Sequence, residues 1–235
     1  MTTRQLLDGG AGLRPSWPRW TLGCGLAEVV GMVAAASAFA LSLAWLGEPR
    51  SLGVAALTVA IAMTGGAMEG AAVGAVQWLL LRRWLTRLGA TSWIGVTVAA
   101  AMLGWLLGMI PSVAASLAAG EAEPNGSAAG PPFWVMPLLG IASGLLLGAL
   151  FGAAQSLVLR HHVENSRLWI WANAYGWAAG LTVMFIGAGI PSGPWPWTQL
   201  VPLAAATGVL AGLAVGAVTG AFLPRLRLLT SRPGA

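Results

Sequence analysis

Glu28 and Glu69 are the two carboxyl groups that fall inside long apolar runs of this chain, and they carry its plainest capacity for chemistry. Glu28 lies eight residues beyond Trp20 and Glu69 twelve before Leu81. On helices those separations put them about 12 and 18 Å from the apolar boundary. A carboxyl at such depth in a bilayer is costly, and by default it marks a proton relay, an ion path or a hydrogen-bonded pair. No arginine stands at either depth, so each is expected to be neutral or bonded to a neighbouring span. Asn173 is a third candidate, because it stands three residues before Gly176 as Glu28 stands before Gly31 and Ala101 before Gly104. In a relay the two carboxyls would cycle the proton, and Asn173, whose amide cannot, would face them. The plainer reading is a hydrogen-bonded pair that fixes helix register, and the residues alone leave both open.

The elements that hold these side chains must be membrane helices. Of 235 residues, 57% are hydrophobic and 8% charged, and the mean hydropathy is +0.77. A soluble domain needs roughly a quarter of its residues charged, so most of this surface faces something other than water. Apolar stretches run at about 20–46, 53–81, 92–110, 134–159, 168–190 and 198–223. Each reaches the roughly 20 residues that cross a bilayer core. Ala36-Ser37-Ala38 offers a cleavage-like site, but the first run is longer than a signal peptide's apolar region, so it reads as a span. The expected fold is an all-α membrane bundle of six helices. Residues 1–19 form a cytoplasmic segment, 20–227 the transmembrane domain and 228–235 a tail.

All 12 basic residues are arginine, and eleven of them fall on one side of these spans. Only Arg50 lies on the other, with Glu48, Glu121 and Glu123. The positive-inside rule then puts both termini in the cytoplasm, as in a bacterial inner membrane. The same placement accounts for the high pI without a nucleic-acid partner. Trp17, Trp20, Trp84, Trp93 and Trp169 are expected in an inner interfacial belt, and Trp45, Trp134, Trp195 and Trp197 in an outer one.

The chain repeats itself. "GAAVGAVQWLLLRRW" at 70–84 returns as "GALFGAAQSLVLRHH" at 148–162 and as "GLAVGAVTGAFLPRL" at 212–226, each later copy matching the first at 8 of 15 positions. Each copy closes an even-numbered span. The odd spans are related more faintly, through Gly104-Trp105 with Gly108 and Gly176-Trp177 with Gly180, and both of those end in Ile-Pro-Ser, at 110–112 and 190–192, where proline should stop the helix. The unit is therefore a two-helix hairpin present three times, at about 20–84, 92–162 and 168–227, and its copies should turn about an axis along the membrane normal. Gly66, Gly70 and Gly74 recur every fourth residue in the second span, Gly140, Gly144, Gly148 and Gly152 in the fourth, and Gly208, Gly212, Gly216 and Gly220 in the sixth. Residues four apart share a helix face, so each even span carries a stripe without side chains that lets another backbone approach. Gln77, Gln155 and Thr219 sit seven residues after Gly70, Gly148 and Gly212, nearly on the stripes, and are expected to hydrogen-bond across to neighbouring helices.

The pattern G-x3-G-x2-Q followed by L-x3-R, best at 70–83 and 148–160, resembles that of a loose group of bacterial multi-pass membrane proteins with no established activity. The resemblance covers spans two to six and implies a fold type only. Three two-helix repeats also parallel the mitochondrial carriers, but the Pro-x-acidic-x-x-basic motif of that family is missing from every span. No Walker A, GxGxxG, HExxH, CxxC or GxSxG motif occurs. The lone Cys24 excludes an intrachain disulfide, and His161-His162 reads as a solvated turn, since a metal would need more ligands. The triplet Asn125-Gly126-Ser127 matches a glycosylation sequon by chance, within an outer loop at 111–133. No cofactor or metal is expected. The leading expectation is a non-enzymatic helix-packing accessory or scaffold whose partners are the lipid bilayer and another membrane protein or a second copy. The alternative is a proton-coupled transporter or channel using Glu28 and Glu69.

The orientation is testable with single cysteines in intact cells. A membrane-impermeant thiol reagent should label Ser127→Cys and leave Ser231→Cys untouched; labelling of Ser231→Cys from outside overturns the topology.

Overall fold

A computed structural model describes residues 14–121, 131–190 and 196–229. Its helices are α1 (Trp17–Leu46), α2 (Leu52–Leu81), α3 (Ala90–Glu121), α4 (Met136–Leu159), α5 (Leu168–Gly189) and α6 (Trp197–Phe222). A short 3-10 turn, Phe133–Val135, leads into α4, and another, Leu223–Arg225, follows α6. Local chemistry sets several ends. Proline stands in the first turn of α1 and α4, where its missing N–H has no helical partner to lose. The Ser51 hydroxyl accepts from the Val54 N–H at the start of α2. α1 stops at Gly47, whose φ of 71° suits glycine and whose N–H reaches the Leu43 carbonyl.

One expected helix stop fails. α3 continues through Pro111 to Glu121, so residues 111–121 belong to a helix and not to an outer loop. Proline removes one backbone hydrogen bond, but a helix among apolar neighbours has no water to offer its other groups, so they stay paired within it. The sequon at 125–127 lies outside the described residues. α5 ends at Gly189, where the second Ile-Pro-Ser was expected to end it; Pro191 and Ser192 lie outside the described residues.

Five of the helices are long and apolar enough to cross a membrane. α5 falls outside that set, diluted by Asn173, Tyr175 and three tryptophans, yet it packs within the same bundle. Each helix touches its neighbours in chain order, and α6 returns to pack on α1. The most extensive contacts are α4–α5, α1–α6 and α2–α3, and the slightest is α3–α4. Along much of the helices' length burial runs opposite to that of a soluble bundle. Ala27, Ala35, Ala55, Ala62, Ala100, Ala172 and Ala211 are inside, whereas Leu26, Leu52 and Leu146 are 70, 78 and 69% exposed. Small residues inside and large apolar ones outside suit association within lipid, where only close packing rewards contact. The architecture is compatible with a helical membrane bundle.

The evenly spaced glycines lie at the three broadest contacts. Gly66, Gly70 and Gly74 of α2 face α3; Gly140, Gly144, Gly148 and Gly152 of α4 face α5; Gly208, Gly212, Gly216 and Gly220 of α6 face α1. A Cβ added to Gly140 would stand 2.5 Å from the Thr182 Cα, one on Gly152 2.6 Å from the Ile170 Cα, and one on Gly70 2.7 Å from the Val98 Cα. On Gly144 it would run into the Trp177 carbonyl oxygen and the Ala178 backbone. These neighbours are main chain, which cannot step aside as a flexible side chain can. α1 and α6 part beyond Gly208, leaving an apolar groove of about 340 Å3 lined by Ser37, Ala40, Leu41, Ala44 and Val201.

The arginine-rich end holds the main core, where Trp20, Trp84, Trp93 and Trp169 pack with Leu81, Leu85, Leu159, Leu223 and Leu226. Those four indoles are at most 4% exposed, so they are interior side chains and not members of an interfacial belt. Trp17, Trp45 and Trp134 are exposed as expected; Trp195 and the Trp197 side chain lie outside the described residues.

Gly144→Ala and Gly212→Ala should each lower stability by about 2 kcal/mol or more, the cost of forcing atoms into a filled interface. Leu146→Ala, which removes far more bulk from an exposed position, should change it by less than about 0.5 kcal/mol. Melting of the purified chain in detergent checks both, and equal tolerance would refute the close contacts.

Candidate functional site

The polar residues expected from the sequence do gather, in two adjoining groups. The first is an amide layer near the arginine-rich end. Gln155 of α4 donates through Nε2 to Gln77 Oε1 of α2 and to Thr97 Oγ1 of α3, each at 3.0 Å. Its Oε1 accepts from Trp169 Nε1 of α5 at 2.7 Å. Gln155 is 1% and Gln77 4% exposed, so one side chain joins four helices without water. On the other side of the bundle Trp20 Nε1 of α1 donates to Thr219 Oγ1 of α6 at 2.8 Å, and that hydroxyl donates to the Val215 carbonyl. Gln77, Gln155 and Thr219 thus each bond to a side chain of another helix. Their partners Trp20, Trp169 and Thr97 were missed, because the tryptophans read as interfacial. The equal spacing of Trp20 from Gly31 and of Trp93 from Gly104 was the available signal.

The second group is the carboxyl pair. Glu69 of α2 lies against Gly31 of α1, with its Cα 3.2 Å from where a Gly31 Cβ would stand. Its Oε2 accepts from Trp105 Nε1 of α3 at 2.7 Å. Glu28, one turn before Gly31, is 3% exposed, and its Oε1 has no hydrogen-bond partner among the described residues. Glu69 is 6% exposed. No arginine joins either; the ion pair among the described residues is Arg50–Glu48, on the surface at 3.0 Å. Trp105, adjacent to the odd-span Gly104, holds Glu69 and was also missed as a site residue.

Asn173 takes a different level from the one its spacing implied. Gly148 meets Asn173, Gly70 meets Thr97 and Ala101, and Gly212 meets Cys24 and Glu28. One turn further along, Gly152 meets Ile170, Gly74 meets Ile94, and Gly216 meets Thr21. By these contacts Asn173 is level with Thr97 and Cys24, four residues beyond Trp169, Trp93 and Trp20. Trp177 is level with Glu28 and Ala101. The Gly-Trp dipeptides of α3 and α5 therefore align by sequence but sit one turn apart in the bundle. Asn173 still reaches the site, because it and Glu28 line one cavity of about 10 Å3 together with Cys24, Gln77, Gln155 and Trp177. Its Nδ2 donates to the Trp169 carbonyl at 2.9 Å.

The loop between α4 and α5 is a turn in which His161 is exposed and His162 half-buried, and it is pinned to the segment after α6. Val163 forms an antiparallel bridge with Leu228, the Glu164 N–H donates to the Arg227 carbonyl, and the Leu229 N–H donates to the His162 carbonyl. Burial, then the neighbouring His161 and Arg87, hold the His162 imidazole below its ordinary 6.5. The backbone of Leu228 and Leu229 is thereby paired with this turn. Arg14 adds a second tie, donating to the carbonyls of Pro224 and Leu226 while lying 4.6 Å over the Trp84 ring. No three His, Cys, Asp or Glu side chains converge as a metal set among the described residues. No known protein family matches the chain, and neither a curated protein nor a solved structure is significantly similar to it.

Gln155→Leu would orphan the Trp169 N–H and strip Gln77 and Thr97 of their donor, with each buried orphan costing about 1–3 kcal/mol. Gln155→Leu should therefore lower the unfolding free energy by more than Gln77→Leu, which orphans a single N–H of Gln155. Equal losses in detergent unfolding would remove Gln155 as the centre of the layer.

Proposed function

We propose that this chain is a non-enzymatic integral membrane protein that works through helix packing, as an accessory or scaffolding subunit in a bacterial inner membrane with both termini in the cytoplasm. One observation carries the reading: the evenly spaced glycines place the backbone of α2 on α3, α4 on α5 and α6 on α1, and the cavity at the centre has room for about one water molecule and for no solute. In this reading the chain is three tandem hairpins around a pseudo-threefold axis along the membrane normal, and the glycine stripes are a zipper spent within one chain. A partner membrane protein or a second copy would then meet the large apolar side chains of the outer surface. The likeness to glycine-patterned bacterial multi-pass proteins supports that fold type and adds no activity.

Glu28 favours a second reading. A buried carboxyl oxygen without a partner, close enough to Glu69 for the two to interact electrostatically, is more than a scaffold requires, and a proton-coupled carrier or channel would use such a pair. Proton movement in proteoliposomes separates the two. For the scaffold, wild-type vesicles should leak protons no faster than empty ones. Glu69→Gln should melt near the wild type, because the amide oxygen still accepts from Trp105. Proton flux through the wild type, lost in Glu28→Gln or Glu69→Gln with the fold intact, would replace the scaffold by the carrier.

A further inference from the structure

A buried carboxyl oxygen without a partner is a rare feature, because it gives up its hydration and gains no hydrogen bond in return. Glu28 Oε1 has none among the described residues, and Glu28 lines the central cavity. Two other side chains on that wall have hydrogen-bonding capacity left over. Gln77 accepts from Gln155 through Oε1, and of its two N–H bonds one is taken up by the Cys24 thiol. Asn173 spends one N–H on the Trp169 carbonyl, and its Oδ1 accepts from no described group. The remaining wall is apolar, formed by Val73, Phe151, Trp177 and Val215. At about 10 Å3 the cavity is of the size that takes one water and nothing larger, and buried waters settle where two to four polar groups converge.

We propose that this cavity is a binding site for a single water molecule, which donates to the Glu28 carboxyl group and Asn173 Oδ1 and accepts from the Gln77 amide. Three partners meet the usual requirement of a buried water. A bare metal cation fits the same walls poorly, since Glu28 and Asn173 alone offer it free oxygens and a hard cation takes six or more. The water supplies the hydrogen bond that Glu28 lacks. It also joins Glu28 to the amide layer, so that a polar path runs from Glu28 through the water to Gln77, Gln155 and Trp169. Glu28 packs against α2 and α6. The titratable groups around it are Glu69 across on α2 and Cys24 one turn away on α1, while α6 presents Gly208 and Gly212.

The glutamines provide the probe. In the full chain, glutamine-labelled with 15N and held in detergent micelles, the side-chain amide of Gln77 should show a direct dipolar cross-peak to a long-lived water. That of Gln155 should show none, because both of its N–H bonds are taken by Gln77 and Thr97. Val73→Ile places a methyl group in the water's room and should erase the Gln77 peak while the rest of the spectrum persists. Val215→Ile, which fills the cavity from α6, gives the same reading if the first variant does not fold. Absence of the peak at Gln77 in the wild type overturns the proposal. So does its survival in the folded cavity-filling variant, which would mean that the water lies elsewhere.

Discussion

The closeness of backbone to backbone at the glycines of α2, α4 and α6 is the constraint from which the rest of this bundle follows. Lipid supplies no hydrophobic force between helices, so contact must come from atoms that fit. Where the Gly140 and Gly152 faces meet α5, a single carbon atom would already be too much. This approach fixes the register of each helix pair to within one turn, and register decides which side chains share a level. Gln155 reaches Trp169, and Thr219 reaches Trp20, only because Gly152 and Gly216 let those pairs come together one turn away.

Close packing also explains why the interior can carry amides and carboxyls at all. A polar side chain in a membrane bundle has no solvent to fall back on, so it is tolerated where neighbouring helices bring a partner within reach. Gln155 uses its carbonyl and both N–H groups on three other helices. Glu69 rests its stem on Gly31, where any side chain would displace it, and its carboxyl group accepts from Trp105. The two groups are complementary: the amide layer sits among the tryptophans of the arginine-rich end, and the carboxyls lie further in, where α1, α2 and α3 meet.

Much of the architecture is legible in the residues because membrane helices are written in length and hydropathy. The bounds read for five of the six spans agree with the helices to within a few residues. The same signal fails at Pro111, since proline ends helices reliably only where water can take over the freed carbonyls. At the site, Gln77, Gln155 and Thr219 were visible from their spacing after the glycines. Trp20, Trp93 and Trp169 were not, because an indole near the end of an apolar run looks the same whether it points to the headgroups or to the centre. Asn173 was visible as a residue but not as a level. A Gly-Trp dipeptide recurs in α3 and α5, and sequence comparison aligns it, whereas the contacts of Gly74 and Gly152 shift α5 by one turn. That offset is set by three-dimensional fit, and its mark in the sequence is the equal step from Trp20 to Gly31, from Trp93 to Gly104 and from Trp169 to Gly180, which the recurring dipeptide obscures.

The return of α6 onto α1 bears on how such a chain must be made. α2 can dock on α3, and α4 on α5, as soon as each pair has left the ribosome, since their contacts are local in sequence. α1 has no such neighbour for the face that carries Cys24, Thr21 and the Gly212-facing side of Glu28. That face waits in the bilayer until the last helix is synthesised, nearly two hundred residues later, and only then are the Arg14 and Leu228 ties able to close over the finished end. Biogenesis therefore leaves α1 the one helix exposed longest as an incomplete surface. Removal of α6 by truncation from the C-terminus would leave that face of α1 uncovered.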